Sequence, residues 1–284
     1  MAPNDRLAVD ERAAEPAEAS ASTAAGVVVS HVSKTFGSKQ RVDALSDVSF
    51  EVAAGEIVAL TGHSGCGKTT LLRIIMGLET ATSGTVTVGG RPVDGCDPKC
   101  GIVFQHAELL PWRTARGNVE FGLQARGMGR AERREVADRC LELVGLSHAA
   151  DRRPDELSGG MRQRVGIARA LAIDPELLLM DEPFSALDAQ TRETMQAELL
   201  DIQERTGKTI IFVSHDLDES VLLADRVVAM LPNPGRVQEV LDTSLDRSLP
   251  IEQRRGSTRF MQRRHELYQL IHGKRDLAPE EGSR

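Results

Sequence analysis

The part of this chain that most constrains its fold is an apolar run, a glycine-rich loop and a helical stretch in direct succession. The apolar run is EIVAL at 56–60, the loop is TGHSGCGKTT at 61–70, and the helical stretch is TLLRIIMGL at 70–78. An apolar strand without polar alternation is typical of a parallel sheet that is covered on both faces. This unit therefore predicts an α/β domain around a mainly parallel central sheet.

The loop at 62–69, GHSGCGKT, matches the pattern G-x-x-x-x-G-K-[ST]. Its glycines let the backbone curl, so that successive N–H groups point at phosphate oxygens at the positive end of the next helix. We expect Lys68 to reach the β- and γ-phosphates and Thr69 to offer its hydroxyl to Mg²⁺. The alternative, a glycine-rich turn without a ligand, leaves Lys68 unexplained. The predicted nucleotide contacts in the loop are Gly62, His63, Ser64, Gly65, Cys66, Gly67, Lys68, Thr69 and Thr70.

Four further apolar runs support the α/β prediction, and helical patterns lie between them. The helical stretch 131–145 carries Val136, Cys140, Leu143 and Val144, spaced so that they share one face. The further strand candidates are GIVF (101–104), ELLLM (176–180), TIIFV (209–213) and RVVAM (226–230).

Two carboxylates follow the strand candidate in LLLMDEP, residues 177–183. The carboxyl ends of parallel strands are where open α/β sheets bind ligands. We expect Asp181 to hold Mg²⁺, directly or through water, and Glu182 to orient and deprotonate the attacking water. Two acids that merely end a strand are the alternative, and the complete phosphate loop upstream argues against it.

The ends of the chain differ in composition from its middle. Residues 1–26 are rich in Ala, Glu and Ser, which predicts a disordered tail. Residues 27–245 form the predicted ATPase domain, and 246–284 a C-terminal helical extension that ends in the loose APEEGSR. In the extension Phe260, Leu267 and Ile271 share one helical face, which predicts packing on the domain.

Charge and cysteine content exclude several classes of protein. The net charge of −7 argues against a nucleic-acid binder. The scattered Cys66, Cys96, Cys100 and Cys140 indicate a reduced, cytosolic protein, and CDPKC at 96–100 has no second ligand pair, so we interpret it as a loop rather than a metal site. The N-terminus shows no secretory signal, and no apolar run approaches the roughly 20 residues that span a bilayer.

Several short motifs, which follow one another along the chain in the family's order, resemble those of the nucleotide-binding subunit of an ABC transporter over about residues 27–245. LSGGMRQ (157–163) is similar to the family signature, SALD (185–188) to the D-loop, and VSHD (213–216) to the switch-histidine motif. Gln105 resembles the Q-loop glutamine, and Phe36 stands where the family has an aromatic that stacks on adenine. The resemblance implies a P-loop NTPase of ABC type with an antiparallel β edge and an inserted helical subdomain at about 106–160.

The resemblance also implies that two ATPase domains pair head to tail. Ser158 and the amides of Gly159 and Gly160 would then cap the γ-phosphate of an ATP held by the partner's loop. This suits the N-terminus of a helix, where the dipole and free N–H groups attract an anion. The chain contains one copy of each motif, so the partner is a second copy in a homodimer, or another ATPase domain.

Catalytic roles follow from the same resemblance. Lys68 and His215 would stabilise charge on the γ-phosphate, and Glu182 would act as general base. Gln105 would touch Mg²⁺ or the water and report the nucleotide state, and Asp188 would link the two sites of the dimer. A purely structural histidine is the alternative for His215.

An ATPase subunit of this family implies transmembrane permease subunits as partners, and a peripheral location on the cytoplasmic face of the inner membrane. The stretch 104–123 would form the groove that receives the permease, with Leu109, Leu110, Pro111 and Trp112 as contacts. Alternatively, Trp112 fills the core of the subdomain.

The LLPW…NV run, together with the DRS segment and the C-terminal helix, resembles importer subunits of the nitrate, sulfonate and taurine group. Those importers also use a separate periplasmic or extracellular solute-binding protein. Two rival functions are an ABC ATPase that acts on ribosomes or nucleic acid, and a cassette that binds ATP without hydrolysing it. The single cassette and acidic charge oppose the first, and the complete set of Lys68, Asp181, Glu182 and His215 opposes the second.

Overall fold

The computed structural model describes residues 25–37, 41–105, 107–185 and 187–273. Residues 1–24 of the predicted disordered tail therefore lie outside the described residues, and so does the C-terminal APEEGSR. The first strand, β1, begins at Ala25, slightly before the predicted start of the domain.

The larger sheet of the described residues has six strands in the order β10-β9-β3-β8-β7-β6. Neighbours pair in parallel, except that β10 runs antiparallel to β9 at one edge. All five predicted apolar runs are strands here, which confirms the mainly parallel α/β sheet. The six strands of this sheet are β3 Ile57–Gly62, β6 Cys100–Val103, β7 Leu177–Asp181, β8 Thr209–Ser214, β9 Arg226–Leu231 and β10 Arg236–Asp242.

A second sheet is antiparallel and, within the described residues, has four strands in the order β2-β1-β4-β5. Its side chains alternate between buried and exposed along β2, as expected when one face of a sheet is solvated. This sheet provides the antiparallel β part of the predicted fold. The strands are β1 Ala25–Phe36, β2 Val42–Ala53, β4 Ser83–Val88 and β5 Arg91–Pro92.

Helices cover the larger sheet. Two of them, α2 (Ala115–Ala125) and α3 (Arg130–Leu143), follow β6 and pack with α4 (Gly159–Ala172) as a helical layer. The remaining helices are α1 Lys68–Ile75, α5 Ala189–Thr206, α6 Leu217–Leu223, α7 Ile251–Arg255 and α8 Thr258–His272.

The buried face of α3 is wider than the one that the spacing predicts. Of the four predicted residues, Val144 is buried at the end of the helix, and Val136, Cys140 and Leu143 are partly buried and pack against the same core. Ala137 and Leu141 are the fully buried residues within the helix. A pattern that counts large apolar residues does not detect a buried alanine.

Apolar side chains pack on both faces of the larger sheet. One cluster joins it to the helical layer and α8, and the other joins it to α1 and the antiparallel sheet. In α8, Phe260, Leu267 and Ile271 are buried, as their spacing predicts. None of the helices within the described ranges is long and apolar enough to cross a bilayer.

The four cysteines are free, and they differ in exposure. Cys96 is exposed and Cys66 is buried in the phosphate loop. Burial raises the pKa of Cys100 to about 12 and that of Cys140 to about 11. Among the described residues, no cluster of three or more His, Cys, Asp or Glu side chains could hold a metal ion.

We expect iodoacetamide at pH 8 to modify Cys96 first, with Cys100 and Cys140 at least tenfold slower. At a pKa of 12, only about one thiol in ten thousand is the reactive thiolate at that pH. Peptide mass spectrometry of the folded chain, timed against the urea-denatured chain, measures the order. Equal rates for the three cysteines in the folded chain would contradict the burial of Cys100 and Cys140.

Candidate nucleotide-binding site

The predicted phosphate loop connects the carboxyl end of β3 to the N-terminus of α1. At two positions the loop requires glycine. Gly62 has a φ of 153°, and a Cβ atom there would lie 2.3 Å from the Met230 carbonyl oxygen. Gly67 has a φ of 85°, and its Cβ would lie 2.5 Å from Cδ2 of Leu45. The curled backbone therefore depends on the absence of side chains at these positions.

Lys68 is 7% exposed and curls back over the loop. Its Nζ donates hydrogen bonds to the carbonyl oxygens of Gly62, at 2.8 Å, and His63, at 3.1 Å. The Nζ atom also lies 3.7 Å from Sγ of the buried Cys66. Because these partners are neutral, an anion at the loop can take the place of the carbonyls and pair with the ammonium group.

Thr69 and Asp181 meet where α1 begins and β7 ends. The Thr69 hydroxyl donates to Oδ1 of Asp181 at 3.3 Å. Burial raises the pKa of Asp181, and the hydrogen bond from Thr69 opposes that rise. A hydroxyl and a carboxylate are the oxygen donors that Mg²⁺ prefers beside substrate phosphates, so the two side chains fit this ion.

Glu182 has a backbone φ of 47°, in the left-handed region that non-glycine residues rarely adopt. Its N–H donates to the carbonyl of Val213 at 3.1 Å, which ties it to β8. Its carboxylate lies between two predicted site residues, with Oε1 3.3 Å from Nδ1 of His215 and Oε2 3.3 Å from Nε2 of Gln105. Gln105 also donates to the Ser185 hydroxyl at 3.1 Å. Strained backbone at a residue that is held this firmly is characteristic of functional sites.

The structure brings eight of the predicted site residues, six from the phosphate loop together with Glu182 and His215, into one cleft of about 510 Å³. The cleft is lined by the exposed loop residues and also by Glu182 and His215. A larger cleft, of about 670 Å³, lies near Gly55 and Gly207 and carries none of the chemistry described above. The nucleotide cleft is lined by Val42, Asp43, Ala44, Ser64, Gly65, Gly67, Lys68, Thr69, Thr70, Glu182, His215 and Asn233.

Phe36 lies at the rim of this cleft. It is the last residue of β1 and pairs with Val42 of β2, which lines the cleft. The ring is 39% exposed, and Nζ of Lys34 lies 4.8 Å from its centroid. An exposed ring next to a phosphate loop is suited to stacking on a base, as the sequence predicts.

The signature residues line a different cleft from the phosphate loop. Gly159 borders a cleft of about 240 Å³ together with Gln105 and Leu187. Ser158 is the N-cap of α4, and its hydroxyl accepts the N–H of Met161 at 3.2 Å. A Cβ on Gly160 would lie 2.4 Å from Cγ2 of Thr191. The structure therefore does not bring the signature to Lys68 of the same chain.

Asp188 is the N-cap of α5 and lies close to the signature. Its carboxylate accepts the N–H of Thr191 at 3.0 Å and the Thr191 hydroxyl at 2.7 Å. These two hydrogen bonds lower the pKa of Asp188. Asp188 is thereby fixed through the same Thr191 that packs on Gly160.

Glu219 and Arg192, which no sequence motif indicates, connect the residue before His215 to α5. The Ser214 hydroxyl, immediately before His215, donates to Oε2 of Glu219 at 2.7 Å. Nε of Arg192 lies 3.7 Å from Oε1 of Glu219, and the same guanidinium donates to the Leu187 carbonyl at 3.1 Å. Burial raises the pKa of Glu219. Its spacing of one helical turn from His215 is the sequence signal for this contact.

Comparison with known proteins agrees with this geometry. A family model described as ABC transporter matches residues 45–185. An uncharacterized ABC transporter ATP-binding protein of Methanocaldococcus jannaschii is 47% identical over 81% of this chain and 85% of its own length. The taurine import ATP-binding protein TauB of Yersinia pestis is 45% identical over 87% of this chain and 98% of its length.

A third relative, the nitrate import ATP-binding protein NrtD of Synechococcus elongatus, is 45% identical over 81% of this chain and 85% of its length. Among solved structures, a dimeric ATP-binding cassette in a post-hydrolysis state with ADP and phosphate matches with a TM-score of 0.68 and 34% identity. That match covers 77% of this chain and 99% of the other. The predicted ABC-type fold is therefore confirmed, and the chain belongs to the ABC transporter family as one of its ATP-binding, ATP-hydrolysing subunits.

Proposed function

We propose that this chain hydrolyses ATP in the cleft between the phosphate loop and Glu182, and thereby drives import of a small solute through separate membrane-spanning permease subunits. One observation supports the hydrolytic role above all others. The carboxylate of Glu182 lines the same cleft as Lys68 and Thr69, and His215 and Gln105 contact it through its two oxygens. This is the arrangement that a general base needs opposite a bound triphosphate.

Each residue of the cleft has a role in the proposed reaction. Lys68 exchanges its two carbonyl partners for the β- and γ-phosphates, and the loop amides bind the same oxygens. Glu182 accepts the proton of the attacking water. His215, 3.3 Å from Glu182, donates to the γ-phosphate and stabilises its charge. Gln105 orients the water or the metal and transmits the nucleotide state to the neighbouring cleft at Gly159.

We assign the Mg²⁺ site to Thr69 and Asp181, with Gln105 as a further oxygen donor. When bound, Mg²⁺ neutralises charge on the β- and γ-phosphates. The amide of Gln105 can turn its oxygen to that site, because oxygen and nitrogen of an amide are assigned from their hydrogen bonds. The hydroxyl of Thr69 and the carboxylate of Asp181 already converge without it.

We further propose that the ATPase acts as a head-to-tail homodimer. Gly159 of the signature lines a different cleft from the phosphate loop, and Ser158 and Gly160 do not line the loop's cleft, so the proposal needs a second copy to bring signature and loop together. The related cassette with ADP and phosphate was solved as a dimer. In this arrangement Asp188, fixed by Thr191 beside the signature, lies at the interface and links the two sites.

The permease contact of this proposal is the turn before α2. Trp112 is 70% exposed, so it does not fill the core of the helical layer, which was the alternative. The buried Asn118 holds the turn, because its Oδ1 accepts the N–H of Leu110 at 2.7 Å and its Nδ2 donates to the carbonyls of Leu110 and Arg113. Phe121, 46% exposed, follows on α2. Exposed aromatic side chains on a rigid turn are typical of interaction sites.

The names of two relatives support the proposed solute class and membrane location. These two are named as taurine and nitrate import subunits. We therefore place the chain at the cytoplasmic face of the inner membrane, as a peripheral subunit of an importer for nitrate, a sulfonate, taurine or a similar small solute. A periplasmic or extracellular binding protein selects that solute. The rival ribosome- or nucleic-acid-directed ATPase has no support in the net charge of −7.

Trp112→Glu is expected to reduce, by tenfold or more, the fraction of chain that pellets with membranes when the permease from the source genome is co-expressed. A carboxylate in place of a buried interface aromatic costs several kcal/mol, and about 1.4 kcal/mol is already tenfold. ATPase activity of the isolated chain should stay unchanged. Quantitative immunoblots of membrane and supernatant fractions measure the distribution.

Met261→Glu is the matched control, since Met261 is 57% exposed but lies on α8. It should pellet like the wild type. Equal pelleting of the Trp112 variant would refute the contact, and pelleting without any co-expressed permease would refute the proposed partner. Cofractionation with ribosomes would favour the rival function.

A further inference from the structure

The end of the C-terminal helix α8 lies against the phosphate loop. Nε2 of His63, in the loop, is 3.2 Å from the carbonyl oxygen of Ile271. The His63 ring also meets the His272 ring edge to face, with centroids 4.7 Å apart and planes at 79°. His272 in turn stacks on Tyr268 at 4.3 Å and 15°. Three rings thus connect the helix to the loop.

These contacts satisfy groups that the helix leaves open. Ile271 is the penultimate residue of α8. The last four carbonyl oxygens of a helix receive no hydrogen bond from an N–H group of the same helix. His63 donates its Nε2–H to one of them. Edge-to-face and offset rings at these distances attract each other through their quadrupoles. The last turn of α8 is therefore completed by a side chain of the phosphate loop.

The helix is itself firmly fixed to the domain. Phe260, Leu267 and Ile271 are at most 6% exposed and belong to the cluster under the sheet. Arg264 forms an ion pair with Asp218 of α6, the helix that follows His215. The end of α8 is therefore a rigid surface against which the loop can be positioned.

His63 transmits this contact to the residue that binds phosphate. While its ring is held by α8, its carbonyl oxygen accepts hydrogen bonds from Nζ of Lys68 at 3.1 Å and from the N–H of Cys66 at 3.2 Å. The ring contacts with α8 and the hydrogen bonds to the carbonyl together restrain the backbone of His63, next to Ser64 and Gly65, which are both exposed in the cleft.

We propose that α8 braces the phosphate loop through the rings of Tyr268, His272 and His63, and that this brace raises the affinity of the site for nucleotide. His63 is then a positioning residue that acts through the loop backbone and its amides. The C-terminal extension thereby gains a role in ATP binding in addition to packing. The inference rests on the proposed function of the loop as the ATP site.

The test compares ATP binding and hydrolysis for His63→Ala, His272→Ala, the double variant and Tyr268→Ala in the full chain. A loop without the brace spends less time in the binding conformation, and the apparent Kd rises by the inverse of that fraction. From the strength of one ring contact we expect a rise of about threefold to tenfold in Kd and KM. The kcat at saturating ATP should remain within about twofold, because Glu182 and His215 are untouched.

Two comparisons separate a brace from a general loss of stability. The double variant of His63 and His272 should bind ATP no more weakly than the weaker single variant, since both substitutions remove the same contact. Tyr268→Phe should bind ATP like the wild type, because phenylalanine keeps the ring that stacks on His272. His265→Ala is the matched control, since His265 lies on α8 and contacts Gln269 rather than the loop.

Fluorescence titration with a labelled ATP analogue measures Kd, and thermal unfolding monitors folding. If His63→Ala does not fold, the exposed Tyr268, as Ala and Phe variants, still decides the question. Unchanged Kd in the folded His272 and Tyr268 variants, or additive effects in the double variant, would overturn the brace. If the wild type itself fails to bind ATP, the proposed function fails instead, so the two failures are distinguishable.

Discussion

Glu182→Gln is expected to stop steady-state ATP hydrolysis, with a fall in kcat of about 10²- to 10⁴-fold. This is the range that a positioned general base contributes. Glutamine has the same shape as glutamate and keeps contact with Gln105 and His215, but it does not accept a proton from water. The backbone tie from Glu182 to Val213 does not involve the side chain, so the strained φ of 47° should persist.

ATP binding should survive in this variant, because Lys68, Thr69 and the loop amides are unchanged. Bound ATP that is not hydrolysed then holds two copies together through the partner's signature. Size-exclusion chromatography with and without ATP, combined with a phosphate-release assay, measures both properties. We expect a dimer with ATP and a monomer after its removal.

The control for this experiment is Glu193→Gln. Glu193 lies on α5, and its side chain contacts Arg255 rather than the cleft. It should hydrolyse ATP like the wild type and show no trapped dimer. A Glu182→Gln chain that remains monomeric with ATP, or that turns over normally, would remove Glu182 from the role of general base.

The strands and the phosphate loop were predictable because their signals are local. The run at 209–213 becomes β8, Thr209–Ser214, and the run at 226–230 becomes β9, Arg226–Leu231. An uninterrupted apolar run that is too short for a helix has few structures open to it other than a central strand. The loop motif then places Lys68 and Thr69 at the start of α1 by connectivity alone.

The features that the sequence did not predict are contacts between residues far apart in the chain, or backbone and packing details that leave no pattern in the sequence. His63 and Ile271 are 208 positions apart, and no periodic pattern connects them. The left-handed backbone of Glu182 has no composition signal, since glutamate is not enriched there. In α3, the stripe through Ala137 was missed because alanine carries little hydrophobic weight. These features emerge only when packing brings separate elements together.

Ser158→Asp tests the head-to-tail arrangement directly, and we expect it to lower ATP hydrolysis by about 10²- to 10³-fold, the loss typical of removing a charge-stabilising donor. Aspartate caps helices as well as serine does, so the N–H of Met161 keeps an acceptor and α4 stays folded. In the proposed dimer, however, the new carboxylate would face the γ-phosphate of an ATP bound to the partner. Like charges at that distance repel, and the dimer should not form.

The isolated Ser158→Asp chain should still bind ATP within about twofold of the wild type, because its own cleft does not contain Ser158. Combined with Glu182→Gln, it should abolish the ATP-dependent dimer seen by chromatography. Ser158→Asn is the matched control. Asparagine caps the helix and has the size of aspartate without its charge, so this variant should lose far less activity. Equal loss in the Asp and Asn variants would indicate a structural role for Ser158. Loss of ATP binding by the monomer would indicate that the signature serves its own phosphate loop, and the head-to-tail dimer would then be wrong.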